Sequence, residues 1–369
     1  MVEMTGIKKK QRTTGTSHLA LGSRDSKTTT MAPRDSTAAT PWRRTPLVHS
    51  AKLSKEAGCK IHLKLENLQP SGSFKSRGIG NYLLSHLASL ATPADRDKVH
   101  FYSSSGGNAG LACVHAAVAL GAPATIVVPM STSEYMVGKI RDAGAVQVVQ
   151  FGASWYEADA YLQDTVVGDA RRRGEVPVYV PPFDAREIWE GNATVVHEVV
   201  DELGCEPDVL VCSVGGGGLF CGVVMGRDGV CKGATVLAVE TQGADSLALS
   251  LREGRLATLP AITSIATSLG ARTVAEQAYA YAKGAGVKNV VLTDREAMEG
   301  CVRFADDERI MVETACGVCL ALCYGGRLKE VLPELTGDSN VVIVVCGGSN
   351  ITEAMLHSWA ESVKQPVAA

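Results

Sequence analysis

Aromatic side chains are scarce: Phe, Tyr and Trp make up 5% of the 369 residues. Hydrophobic residues still reach 46%, and there are 38 glycines. A core of that kind is built from Ala, Val and Leu, which suits an α/β protein whose strands are buried on both faces. Strong charge of either sign is missing too. The formal net charge is −3, so nothing global draws the chain to nucleic acid or to an anionic membrane. No apolar run approaches the ~18 residues that a membrane helix needs, and the N-terminus carries no apolar stretch of a secretory leader. The 11 cysteines are an odd number, which with no export signal points to free thiols in a reducing compartment. A cytoplasmic protein with a small-molecule substrate is expected.

Several chemical signatures are also absent. There is no H-E-x-x-H pattern among the eight histidines, and no Gly-Lys-Ser/Thr or G-x-G-x-x-G nucleotide fingerprint. Cys316, Cys319 and Cys323 have a metal-like spacing. However, intervals of three and four put them on one helical face with no fourth ligand near in sequence, so core packing is expected. Cys113 and Cys301 fall in helical runs and read as packing residues.

Residues 1–40 stand apart from the rest. They carry Lys8-Lys9-Lys10, Thr28-Thr29-Thr30 and many Ser and Thr, with little apolar periodicity. They read as disordered. Their basic character makes a mitochondrial transit peptide the alternative, and Met31 is a second candidate start. From Thr45 onward, short β-type runs alternate with helical segments. Strands are expected at Ile61–Glu66, Val99–Ser103, Ala124–Val128, Ala145–Val149, Val178–Val180, Val209–Ser213, Thr235–Glu240, Val290–Leu292 and Val341–Val345. Alternation of this kind predicts parallel sheets covered by helices. Two sets are visible, on either side of Pro181-Pro182. The expected division is a small domain at 69–183 and a large one from 41–68 plus 184–369.

In parallel sheets, ligands sit outside the carboxyl ends of the strands, and the glycine clusters fall there. Four motifs carry the chemistry. In Ser71-Gly72-Ser73-Phe74-Lys75-Ser76-Arg77-Gly78, a lysine opens a helix, where the helix dipole and burial both favour the neutral, nucleophilic amine. A solvated helix-start lysine is the plain alternative. In Ser103-Ser104-Ser105-Gly106-Gly107-Asn108, small residues let N–H groups face a carboxylate at a helix start; an ordinary capped turn is the alternative. In Val214-Gly215-Gly216-Gly217-Gly218-Leu219, successive bare peptides between strand and helix form a phosphate nest that needs no cationic side chain. In Val345-Cys346-Gly347-Gly348-Ser349-Asn350, a thiol closes another strand, where it either meets a ligand or simply packs.

In this order, the four motifs resemble those of the fold-type II pyridoxal-phosphate enzymes, and more closely the catabolic L-serine dehydratase/L-threonine deaminase family. The resemblance runs from about Thr45 to Ser358 and includes Pro181-Pro182-Phe183-Asp184, Ile188-Trp189-Glu190-Gly191 and Glu313-Thr314-Ala315-Cys316-Gly317. It implies a tryptophan-synthase-β-like fold with two parallel-rich sheets flanked by helices, a homodimer, and a role in amino-acid catabolism and gluconeogenesis. By the same resemblance, Lys75 is the Schiff-base lysine and Phe74 lies against the ring. Asn108 bonds the 3-hydroxyl, Gly215, Gly216, Gly217, Gly218 and Leu219 hold the phosphate, and Cys346 faces the ring nitrogen. Ser105, Gly106, Gly107 and Asn108 take the substrate carboxylate. A potassium-like cation is implied beside the phosphate loop, held by Glu240 and the carbonyls of Gly215, Ala244, Leu269 and Ala271.

The implied reaction is β-elimination. Lys75 takes the Cα proton, the hydroxyl departs with help from Ser105 or the cofactor phosphate, and serine yields pyruvate and ammonia. Threonine would yield 2-oxobutyrate. A neutral thiol at the ring nitrogen cannot protonate it strongly, which disfavours transamination and racemisation. Serine racemase is the alternative enzyme, and a pyridoxal-phosphate-binding paralogue without turnover the alternative class. Two positions depart from the family pattern: Gly106 stands where alanine is frequent, and Asn192 where histidine is frequent, with no role assigned to Asn192.

Overall fold

The computed structural model describes residues 40–365; the readings made on residues 1–39 lie outside them. Among the described residues, ten strands form two sheets. The larger has the order β1 (Leu47–Ser50), β2 (Lys60–Lys64), β10 (Asn340–Val344), β7 (Val209–Ser213), β8 (Thr235–Thr241), β9 (Val287–Leu292). Only its edge strand β1 is antiparallel. The smaller sheet is all-parallel, in the order β5 (Gln147–Gln150), β4 (Ala124–Val128), β3 (Val99–Ser103), β6 (Val176–Tyr179).

The strand sequences explain their burial. Every residue of β4 (ATIVV) and β7 (VLVCS) is buried, as a parallel strand covered on both faces requires. In the small sheet, successive side chains serve different cores. Phe101, Ile126 and Val128 pack with Ile79, Leu83, Leu111 and Val114 of the helices Lys75–Ser89 and Asn108–Ala119. Tyr102 and Val127 face the opposite way, toward Ala158, Leu162 and Val167. Cys316, Cys319 and Cys323 are fully buried in the core of the large sheet. Among the described residues, no His/Cys/Asp/Glu group is arranged to hold a metal ion, and no helix is long and apolar enough to cross a membrane.

A buried ionic network fixes the start of the Lys75–Ser89 helix. The Arg77 guanidinium, fully buried, donates to Glu66 Oε1 and Oε2 at 2.7 Å and to Glu198 at 2.6–2.7 Å. Lys64, equally buried, meets Glu198 and Glu202 at 2.8 Å and donates to the Thr45 carbonyl at 2.6 Å. Burial opposes the Arg77 charge, but the bonds from Glu66 and Glu198 outweigh it and hold its pKa above the ordinary value. Removing one partner of such a set costs about 3–5 kcal/mol, because a buried charge is left alone. The network ties the turn that carries Lys75 to β2 and to the helix Arg186–Leu203.

Candidate active site

The glycine turns after β3, β7 and β10 and the turn before Lys75 converge on one place. Phe74 N–H donates to the Cys346 carbonyl at 3.2 Å, and Gly348 N–H donates to the Gly72 carbonyl at 3.0 Å. Ser349 N–H donates to Asn108 Oδ1 at 2.9 Å. Three of the four sequence motifs are thus bonded to one another. A cavity with about 50 Å³ of room for water opens there, and Phe74, Lys75, Asn108, Gly215, Gly216, Gly217, Gly218, Leu219 and Cys346 all line it.

Lys75 opens its helix and points its amine at the Pro182 carbonyl, 3.1 Å away. Burial pushes its pKa down to about 8, against Cys346 and Glu313, which favour the charged form. At neutral pH this raises the neutral, reactive fraction by roughly two orders of magnitude over an ordinary lysine. The amine lies 5.1 Å from the centre of the Phe74 ring.

Gly215, Gly216 and Gly217 form the turn between β7 and the helix Gly218–Val230. Their N–H groups donate to no acceptor among the described residues. Side chains are excluded from the turn. A Cβ on Gly216 would overlap the Phe183 ring. Gly217 has φ +95°, and a Cβ there would lie 2.5 Å from that of Ala278. Only glycine meets both demands.

Asn108 is held by its neighbours. Its Nδ2 donates to Glu313 Oε1 at 3.0 Å, with Ser268 Oγ at 3.5 Å. Glu313 also accepts from Ser268 Oγ at 2.5 Å and from Asn350 N–H at 2.7 Å. Glu313 and Ser268 line the cavity, yet sequence reasoning gave neither a role. Glu313 stands inside a quoted motif, which was its one signal; Ser268 had none. Cys346 is 5% exposed, with its sulfur 3.6 Å from Ser213 Oγ.

Other expected site residues lie off this cavity. Ser105, Gly106 and Gly107 are not among its lining residues; Ser105 Oγ accepts from Gly107 N–H at 3.3 Å. Glu240, Ala244 and Ala271 also lie outside it, while Leu269 lines it. The Glu240 carboxylate is fully buried and accepts from Leu247 N–H, Ala248 N–H and Asn289 Nδ2 at 2.8–2.9 Å. Leu269 packs closely on the glycine turn, since a Cβ on Gly215 would lie 2.9 Å from its Cα.

Residues 39–347 match the family described as pyridoxal-phosphate dependent enzyme. The chain belongs to that family. It is 41% identical over 324 residues to an L-serine dehydratase of Saccharomyces cerevisiae (strain AWRI1631), covering 85% of this chain and 95% of the relative. It is 43% identical over 317 residues to an L-serine dehydratase/L-threonine deaminase of Bos taurus, covering 85% and 93%. The structure of a fungal L-serine ammonia-lyase from Rhizomucor miehei superposes with a TM-score of 0.80 at 33% identity, covering 88% of this chain and all of that one. The fold is that of the fold-type II pyridoxal-phosphate enzymes.

The cavity of this pyridoxal-phosphate enzyme fits its cofactor on three counts. The glycine turn offers N–H groups without acceptors at a helix start, which suits a phosphate. The Lys75 amine, whose pKa burial lowers to about 8, suits a carbonyl carbon. Ser73 Oγ, a buried hydroxyl with no partner among the described residues, belongs to a residue that lines the same cavity.

Proposed function

We propose that this chain is an L-serine ammonia-lyase that converts L-serine to pyruvate and ammonia, and L-threonine to 2-oxobutyrate and ammonia. The observation that carries the proposal is one cavity shared by Lys75, the bare turn Gly215–Gly218 and the Cys346 thiol. The relatives add weight, since the yeast and bovine proteins, 41% and 43% identical over nearly their full length, are named as L-serine dehydratases.

Bound there, the cofactor supplies a sink for the electrons left at the substrate Cα. Lys75 would take the Cα proton as general base; its lowered pKa matches that task near neutral pH. Phe74 and the turn Gly215–Gly218 with Leu219 would hold the cofactor in place, and Asn108, fixed by Glu313 and Ser349, would orient its ring hydroxyl. Cys346, which lines the same cavity, would present a thiol rather than a carboxylate toward the ring nitrogen, and that would favour loss of the β-hydroxyl over racemisation. The turn Ser105–Asn108 takes the substrate carboxylate at the mouth of the Asn108–Ala119 helix, and the Ser105 hydroxyl assists the departing hydroxyl.

The finer parts of the reading are a potassium ion held by Glu240 with the carbonyls of Gly215, Ala244, Leu269 and Ala271, a homodimer, and a cytoplasmic location serving amino-acid catabolism. Leu269 packs closely on Gly215, which brings two of these five residues together. Its check is turnover in potassium against sodium buffers, with a several-fold advantage in potassium expected.

The deciding experiment gives purified holoenzyme L-serine, L-threonine and D-serine, and follows 2-oxo acid and product chirality together. Pyruvate from L-serine at a rate well above any D-serine is the expected result. D-Serine accumulating faster than pyruvate would replace the lyase with a racemase, and no turnover of any substrate would leave a binding protein.

A further inference from the structure

Asn192 has no part in the chemistry above, yet it is placed beside it. It sits on the helix Arg186–Leu203 and is 1% exposed. Its Nδ2 donates to the Gly218 carbonyl at 3.0 Å, at the end of the phosphate turn. Its Oδ1 is buried and accepts from no group among the described residues. A buried amide oxygen in that condition calls for a donor.

Beside it lies a second, smaller cavity with about 10 Å³ of room for water, lined by Asn192, Lys75, Gly78, Pro182, Phe183 and Gly218, with aliphatic walls from Ile79 and Ile188. The space suits about one water molecule, and a water needs two or more polar partners. Three are at hand: Asn192 Oδ1, the Lys75 amine and the Pro182 carbonyl, which already accepts from that amine. Gly78 keeps the space open. A Cβ there would lie 2.7 Å from Asn192 Oδ1 and 2.7 Å from Ile188 Cγ2, closing the gap between the two helices.

We propose that this cavity binds one water molecule, which donates to Asn192 Oδ1 and accepts from the Lys75 ammonium, making Asn192 a positioning residue for the lysine. The inference rests on Lys75 being the proton-carrying amine of the proposed reaction. A lysine that takes a proton in an apolar pocket needs acceptors for its new charge. The Pro182 carbonyl is one; the water, backed by the carboxamide, is the second. The ionisable groups acting on Lys75 are Glu313 and Cys346, both lining the main cavity. Asp184 follows Pro182 in the loop, while Ile188 and Asn192 bring no charge from their helix.

Two measurements on the holoenzyme test this. A high-resolution crystal structure with a substrate analogue bound, in which the Lys75 amine is released, is expected to show an ordered water within hydrogen-bond distance of both Asn192 Oδ1 and Lys75 Nζ; a dry cavity overturns the proposal. The pH profile of kcat on L-serine is then compared in Asn192→Leu and Asn192→Asp. Leucine removes the support for the ammonium, so the acidic limb moves to lower pH by about half a unit or more. Aspartate adds a negative charge, so the limb moves to higher pH. Limbs that stay put, or that both move the same way, overturn the proposal. A Lys75→Ala enzyme with undiminished turnover would instead remove the reading of Lys75 itself, an outcome distinct from either.

Discussion

The main cavity has two kinds of wall. At Gly215–Gly217 the groups offered are peptide N–H donors, and side chains are excluded by the Phe183 ring and by Ala278. At Asn108 the groups offered are the side chains of Asn108, Ser268 and Glu313, brought from three distant places and pinned by the backbone N–H groups of the turn at Ser349-Asn350. The first wall has nothing to titrate and is specified by local sequence. The second is specified by the tertiary fold and depends on a carboxylate. A permanent anion such as a phosphate suits the first, and a group whose hydrogen bonding matters to reactivity suits the second.

Lys75 stands between these walls, and losing it should have the largest effect. Lys75→Ala is expected to cut pyruvate formation by more than about 10³-fold and to abolish the visible absorbance of the bound cofactor; spectra and turnover check both. Cys346→Asp comes next, with elimination falling about 100-fold and transamination or racemisation rising; unchanged product ratios would take Cys346 out of the ring-nitrogen position.

At the peptide wall, Gly217→Val forces a positive φ and an overlap with Ala278. Cofactor affinity should fall by about 10–100-fold, since even the left-handed backbone alone costs roughly 1–2 kcal/mol. Equilibrium dialysis reads this directly. At the side-chain wall, Glu313→Gln should leave cofactor affinity nearly intact and lower kcat/KM by about 10-fold. Its effect should overlap with that of Asn108→Ala, the two together costing little more than the worse one, whereas Glu313→Gln and Gly217→Val should add. Additivity of Glu313 with Asn108 would dissolve the contrast between the walls.

A separate effect, on stability rather than turnover, is on pH. In the apoprotein, the Lys75 pKa near 8 lies below the unfolded value of about 10.4. The unfolded chain therefore binds more protons between these values. Stability from this residue rises with pH across that window, and the penalty is fully present below about pH 8. Urea melts of the wild type and Lys75→Ala at pH 7.5 and 9.5 read the difference.

The repeated β-then-helix pattern, and the glycines at strand ends, are local properties, and they were legible. Val99–Ser103, Ala124–Val128 and Val209–Ser213 fall where the apolar runs placed them. Val178–Val180 and Ala145–Val149 were displaced by one or two residues, because edge and near-edge strands carry weaker apolar signals. β1 was missed. Its four residues LVHS have no continuous apolar run, and its pairing is decided by β2 across a helix. Ser268 and Asn192 were opaque for a further reason. Each acts through a partner far away in sequence, and a lone serine or asparagine carries no pattern.

Of the eleven thiols, ten are buried and only Cys205 is exposed. A folded molecule should therefore offer one fast site to an aromatic disulfide reagent and release the rest only as it opens. The colour developed would count unfolded chains directly, and Cys205 could carry a single fluorescent label with the interior left untouched.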